Sequence, residues 1–467
     1  MIFADLFFLY IFIALCIPIY FISKKTVYRN AVLVTFSLIF YAWSRPEWLI
    51  LLLISVTGNY FFALLIDKWR GTPKAKIGVA LSLVLSLGML FVFKYTDFFI
   101  GNINSWFGLS IPLTKIALPI GISFYTFQII SYVMDCYWGK VKVQKNYGKL
   151  LMYISLFPQL VAGPIVRYSV IENEIDNRTS TAADISEGIS RFMVGLGKKA
   201  ILANGLYAVV EKFFGGNITD LSVVGTWYGV ILYALYVYFD FSGYSDMAIG
   251  LGRIFGFHFN ENFNYPFISK NITEFWQRWH ISLGSFFRDY LLYIPVFGKR
   301  RQYVSLFIVW FSTGFWHGAS WNYIIWGLYF GLFILFERLL GTKRLKKIPA
   351  PLTHIYSKLV IIIGFGIFYF TDLNRLGQFF GNLIGLNGNA FIDINVQSSF
   401  MNNIFLILFA VLVSMPVIPK LRLLLQKTES GQNAIGIATI VSNIAILVVC
   451  SILLVNNTNN PFLYWSF

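Results

Sequence analysis

The chain has 467 residues, of which 57% are hydrophobic, 19% aromatic and only 12% charged, and its mean hydropathy is +0.67. A soluble domain carries about 25% charged residues, so this composition excludes both disorder and a water-coated globule and points to the membrane. The net charge of +16, from 37 Lys and Arg against 21 Asp and Glu, reads as loop orientation and not as nucleic-acid binding, because cytoplasmic loops of membrane proteins gather Lys and Arg.

In chain order, the first 25 residues, MIFADLFFLYIFIALCIPIYFISKK, hold an apolar stretch of membrane length. Asp5 stands where a secretory leader carries basic residues, so a retained first span is expected. Further apolar runs lie near residues 31–43, 48–66 and 77–93. Lys24, Lys25 and Arg29 follow the first run, and Lys68, Arg70, Lys74 and Lys76 follow the third, which predicts an external N-terminus. Near the other end, span cores are expected at 359–370, 405–417 and 434–454. The loops with Lys343, Arg344, Lys346 and Lys347, and with Lys420, Arg422 and Lys427, are predicted to be cytoplasmic, leaving the C-terminus external.

The middle third differs. Its apolar stretches LPIGISFYTFQ (from Leu118), FPQLVAGPIVRY (from Phe157) and YFDFSGYSDMAIG (from Tyr238) are interrupted by Pro, Gly and charge. Broken backbone at membrane depth persists only where protein or a water-filled cavity surrounds it, so these segments predict an interior ringed by plainer helices. The expected architecture is all-α: one integral membrane domain over residues 1–467, with about ten to twelve spans and no visible internal repeat.

Candidate chemistry gathers around two histidines. From Tyr303 to Phe336 run 34 residues without a formal charge. As one helix they would reach ~51 Å, well beyond a ~30 Å hydrocarbon core, so the run must break, most naturally in GFWHGASWN at Gly314 to Asn322. That puts His317 at the break, and an ionisable residue deep in a membrane is a functional candidate. Upstream, EFWQRWHISLGSFFRDYLLYIP reads as one amphipathic helix with Trp276, Trp279, His280, Leu283, Phe287 and Tyr290 on its apolar face. A histidine on such a face is ordinarily a core residue; a second one 37 residues on, in another irregular segment, makes the pair a candidate site. His258 and His354 are expected to be structural or solvated.

Asp240 and Asp246, inside an apolar stretch, need a partner such as Arg253 or Arg167, or else orient a histidine. Cys16, Cys136 and Cys450 are far apart in apolar runs and predict neither disulfide nor metal site. GxSxG, GxxxxGK[ST], HExxH and GxGxxG motifs are absent. The basic stretches GKRRQ (from Gly298) and TKRLKK (from Thr342) read as anchors on anionic lipid.

The strings FWQRWHISLGSFFRDYLLYIP and WFSTGFWHGASWNYIIWGLYFG, with the three interrupted segments above and their order, resemble the membrane-bound O-acyltransferase (MBOAT) family, and within it the alginate O-acetyltransferase branch. The resemblance covers about residues 118–331, with 1–117 and 332–467 as peripheral helices. It implies a bacterial inner-membrane protein with a thinned centre, where acetyl-CoA from the cytoplasm meets an acceptor from outside. It also implies His317 as the catalytic residue and His280 as its companion. Trp276, Trp316 and Asn322 are then candidate supports, with Asp240 and Asp246. Acetyl transfer to an extracytoplasmic polysaccharide, completed by an extracytoplasmic acetyltransferase partner, is the leading implication. The alternatives are D-alanyl transfer toward teichoic acid and a non-enzymatic export channel or scaffold. Phe297, where many relatives have glycine, and Ser285 with Phe286, where a Trp-containing pair is usual, depart from the pattern and bear on acceptor detail.

Overall fold

The computed structural model describes residues 1–161, 163–292 and 301–455, and among them all regular structure is helical. Phe297 and the start of the GKRRQ stretch fall outside the described residues. Among the described residues, eight helices are long and apolar enough to cross a membrane: Pro46–Lys68, Ala75–Lys94, Ala182–Phe214, Val223–Ile254, Trp321–Leu340, Ala350–Tyr369, Ile394–Val413 and Glu429–Val455. Phe8–Phe21 and Thr26–Ala42 are shorter apolar helices. The protein is thus an all-α, multi-pass membrane protein.

Two compact units divide the chain. The first comprises residues 1–192 and 244–261. Its core is aromatic: Phe12 meets Phe157 edge-on at 5.3 Å and Phe3 stacks on Tyr244 at 4.5 Å. A buried guanidinium is anchored within it: Arg178 donates through Nε to the Tyr20 hydroxyl at 2.9 Å and through Nη1 to the Asn30 side chain at 2.6 Å. The interruption in LPIGISFYTFQ is real: Gly121 has φ +75° and lies so close to the Leu160 carbonyl that a Cβ there would sit 2.6 Å from it. Only glycine fits that turn, from which Ile122–Tyr137 starts.

The second unit comprises residues 193–243 and 262–467. It carries Gln302–His317, Trp321–Leu340 and Ala350–Tyr369. The expected break in the 34-residue run is found at Gly318 to Ser320. On either side of it the helices press together where they have no side chains, because a Cβ on Gly314 would collide with the Tyr323 carbonyl and one on Gly327 with the Trp310 carbonyl. Large exposed apolar side chains such as Phe405 on Ile394–Val413 and Ile437 on Glu429–Val455 suit contact with lipid tails.

Two expectations are corrected. The stretch YFDFSGYSDMAIG is not broken; it lies inside the 32-residue helix Val223–Ile254. Its charges are tolerated because they are paired: Lys199 Nζ sits 2.6 Å from Asp240, and Arg191 2.6 Å from Asp246. Conversely, the segment around His280 is not one continuous amphipathic helix but two short ones, Ile272–Arg278 and Ile281–Phe287. His280, at φ 45° and ψ 53°, turns the chain between them in the left-handed region that few non-glycine residues adopt.

Candidate active site

Within the second unit, His317 is the last residue of its helix and is 4% exposed. Three aromatic groups wall its imidazole: Trp316 at 5.0 Å, Trp326 at 4.8 Å and Phe368 at 5.3 Å between ring centres. After it Gly318 runs extended, and Trp321–Leu340 begins. Asn322, in the first turn of that helix, donates to the carbonyls of Ile367 and Phe368, both at 3.1 Å. Those carbonyls belong to the final turn of Ala350–Tyr369, so Asn322 satisfies a helix end and fixes Phe368 against His317.

His280, 2% exposed, is reached from a different direction. Phe241 packs edge-on against it at 4.6 Å, and Trp316 lies 6.1 Å away, so one indole borders both histidines. Its Nδ1 lies 3.2 Å from Asn262 Oδ1, which also accepts from the Ser282 amide at 3.2 Å and its hydroxyl at 2.9 Å. Two other donors on that oxygen identify it as the acceptor, so the His280 proton resides on Nδ1 and its lone pair on Nε2. Nε2 is buried and has no hydrogen-bond partner among the described residues. His280 lies outside the eight long apolar helices, and burial pushes its pKa down to about 3, keeping the ring neutral. A neutral imidazole with an available lone pair is a hydrogen-bond acceptor for a hydroxyl or amide.

The helix that leads into His280 is held at its start by a carboxylate. Glu337, 3% exposed, accepts from the amides of Ile272 at 2.6 Å and Thr273 at 2.8 Å, from the Thr273 hydroxyl at 2.6 Å and from the Tyr356 hydroxyl at 3.2 Å. A negative charge on those amides suits the positive end of the helix dipole. Trp276, one turn further along, packs on Trp310 at 5.0 Å and Trp326 at 5.4 Å, which links it to the wall of His317. Its indole nitrogen is buried without a partner among the described residues.

Of the residues singled out in the sequence, His317, His280, Trp316, Trp276 and Asn322 therefore share one neighbourhood. Asp240 is sequestered with Lys199, and Asp246 joins Arg191, which also holds Glu261 at 2.6 Å, in the first unit. His258 is exposed and pairs with Glu174 at 2.8 Å, in keeping with its expected solvated role. Sequence reading missed Asn262, Trp326, Phe368 and Glu337. A signal for Asn262 existed in the polar run NENFN just before the RWH segment, but its use by His280 depends on a turn that periodicity did not reveal.

A model of the membrane-bound O-acyltransferase family matches residues 38–376. The probable alginate O-acetylase of Azotobacter vinelandii is 37% identical over 404 residues, covering 85% of this chain and 80% of that protein. The peptidoglycan O-acetyltransferase of Helicobacter pylori is 33% identical over 417 residues, covering 82% and 79%. The teichoic acid D-alanyltransferase of Bacillus subtilis is 34% identical over 270 residues, covering 54% of this chain and 67% of that protein. With its match across most of the chain and two buried histidines beside one tryptophan, the protein is an acyltransferase and belongs to the membrane-bound O-acyltransferase family.

Proposed function

We propose that this chain moves acetyl groups from acetyl-CoA in the cytoplasm to hydroxyls of an extracytoplasmic polysaccharide, with His317 as the general base, in a bacterial inner membrane. The observation that carries the site assignment is the placement of Trp316 against both buried imidazoles. In the reaction the acceptor oxygen attacks the thioester carbonyl while His317 takes its proton. The C–S bond then breaks, and the imidazolium returns that proton to the departing thiolate. His280, neutral and with its Nε2 lone pair available, accepts a hydrogen bond from substrate and orients it, and the Trp276 indole N–H is placed to donate one. Enclosure by Trp326 and Phe368 keeps water from competing for the acyl group.

Acetyl is preferred to D-alanyl because the two O-acetyltransferase relatives align over more than four fifths of this chain and the D-alanyltransferase over about half. A secreted or surface acetyltransferase partner completes delivery to the polymer.

The test is His317→Gln, which keeps volume and hydrogen bonding but cannot act as a base at neutral pH. General-base catalysis contributes roughly 10² to 10⁴ in rate, so acetyl transfer in purified membranes should fall by about that factor with expression and monodispersity unchanged. Near wild-type turnover in a well-folded variant would remove His317 from the mechanism.

A further inference from the structure

Away from the histidines, the second unit holds a groove of ≈ 700 Å³ with a chemically divided lining. Its walls are apolar, among them Ile231 and Leu235 on Val223–Ile254, Ile361 on Ala350–Tyr369 and Val411 on Ile394–Val413. All three helices are long and apolar enough to cross a membrane, and Ile231 and Val411 are each 40% exposed, so the groove opens on the surface that faces lipid tails. Toward the start of Ala350–Tyr369 stand His354 and Lys358, Lys420 also lines the groove, and no acidic side chain does so among the described residues.

His354 and Lys358 are four residues apart on one helix and so share a face; Lys420 approaches from Val417–Leu425. Lys358 Nζ donates to the Ser269 carbonyl at 2.7 Å and to the Ser357 hydroxyl at 3.1 Å. An ammonium has three protons, so a third remains for a ligand while the first two fix its position. These basic residues adjoin the loops whose Lys and Arg content predicts the cytoplasmic side. From His354 to Ile362 the groove follows about 12 Å of helix, from the depth of a headgroup into the acyl region.

We infer that this groove is a binding site for an anionic phospholipid of the cytoplasmic leaflet, with the phosphate between Lys358 and Lys420 and an acyl chain along Ile231, Leu235 and Val411. Two features together select that occupant. A soluble phosphate compound has no use for the apolar walls, and a zwitterionic lipid brings its own cation to a groove lined by His354, Lys358 and Lys420 and by no carboxylate, the Glu274 that acts on Lys358 lying outside the lining. The site is separate from the candidate active site, so it stands whether or not the proposed reaction does.

The experiment is native mass spectrometry of the full-length protein in mild detergent, titrated with phosphatidylglycerol and with phosphatidylcholine of identical acyl chains. Phosphatidylglycerol should bind at least about tenfold more tightly. Lys420→Gln with His354→Gln should erase most of that preference while leaving phosphatidylcholine binding unchanged, and neither substitution touches the Lys358 anchor. Val411→Trp, which fills the groove from an exposed position, should weaken both lipids. Circular dichroism and monodispersity confirm that each variant is folded. Equal affinity for the two lipids, or phosphatidylglycerol adducts unchanged in both folded variants, would overturn the inference. So would displacement of the lipid by millimolar inorganic phosphate, or a dimer lost on Val411→Trp, which would make a second copy the occupant.

Discussion

Asn262 sets the tautomer of His280: its side-chain oxygen lies 3.2 Å from Nδ1 while being fixed by the amide and hydroxyl of Ser282. Nε2 is thereby left as the acceptor. Asn262→Ala should lower acetyl-transfer kcat by about tenfold or more, equivalent to ~1.4 kcal/mol from one buried hydrogen bond. Asn262→Asp, which retains an acceptor, should recover part of the loss. Steady-state rates of the two variants, normalised to folded protein, check this; equal damage from both would mean that shape rather than the acceptor matters.

Burial sets a pH response on the same ring. The unfolded chain protonates this histidine near 6.5, whereas the folded chain resists protonation down to about 3. Between those values the unfolded state binds the extra proton, so the contribution of His280 to stability falls as pH drops from about 6.5 toward 3 and carries no penalty at neutral pH. In detergent, the melting temperature should decline less between pH 7 and pH 5 for His280→Gln than for the wild-type protein. Identical slopes would count against a buried neutral imidazole.

The glycine contact between Gln302–His317 and Trp321–Leu340 predicts a steric phenotype. Gly327→Leu places a side chain against the Trp310 carbonyl and must part the two helices that flank the His317 break. Activity and thermal stability should fall together, with a melting temperature several degrees lower. Gly377→Leu is the control, since nothing lies within 4 Å of a Cβ at that position.

Lys346 provides the topological test. A cysteine introduced beside it should resist an impermeant thiol reagent applied to intact cells and react after the membrane is opened, because the run of Lys343, Arg344, Lys346 and Lys347 predicts a cytoplasmic loop. Labelling from outside would invert the assignment.

Several of these relationships were legible before any coordinates. Charge-free length required a break, since a helix of 34 residues outruns the bilayer, and the Gly, Ser and Asn residues of Gly314 to Asn322 located it around His317. Residue spacing failed at His280 for an equally physical reason: the pattern of apolar residues from Trp276 to Tyr290 fits a helix, but a single left-handed residue redirects the chain without disturbing the periodicity on either side. It failed again at Asp240 and Asp246, where Gly and Asp suggested a broken segment. Their partners Lys199 and Arg191 lie 41 and 55 residues earlier, and pairing across such separations leaves no trace in a local window. Glu337 escaped notice because a carboxylate near the end of an apolar helix looks like an ordinary interfacial charge until the amides it receives are seen.

That carboxylate closes a mechanical circuit. From His317 the chain passes through the break into Trp321–Leu340, whose far end bears Glu337; Glu337 grips the start of Ile272–Arg278, which delivers His280, and Trp316 lies between His280 and His317. A closed frame of this kind behaves like a triangulated truss: no member can tilt without stretching another. The frame therefore ties the placement of His280 to the helix pair that carries His317.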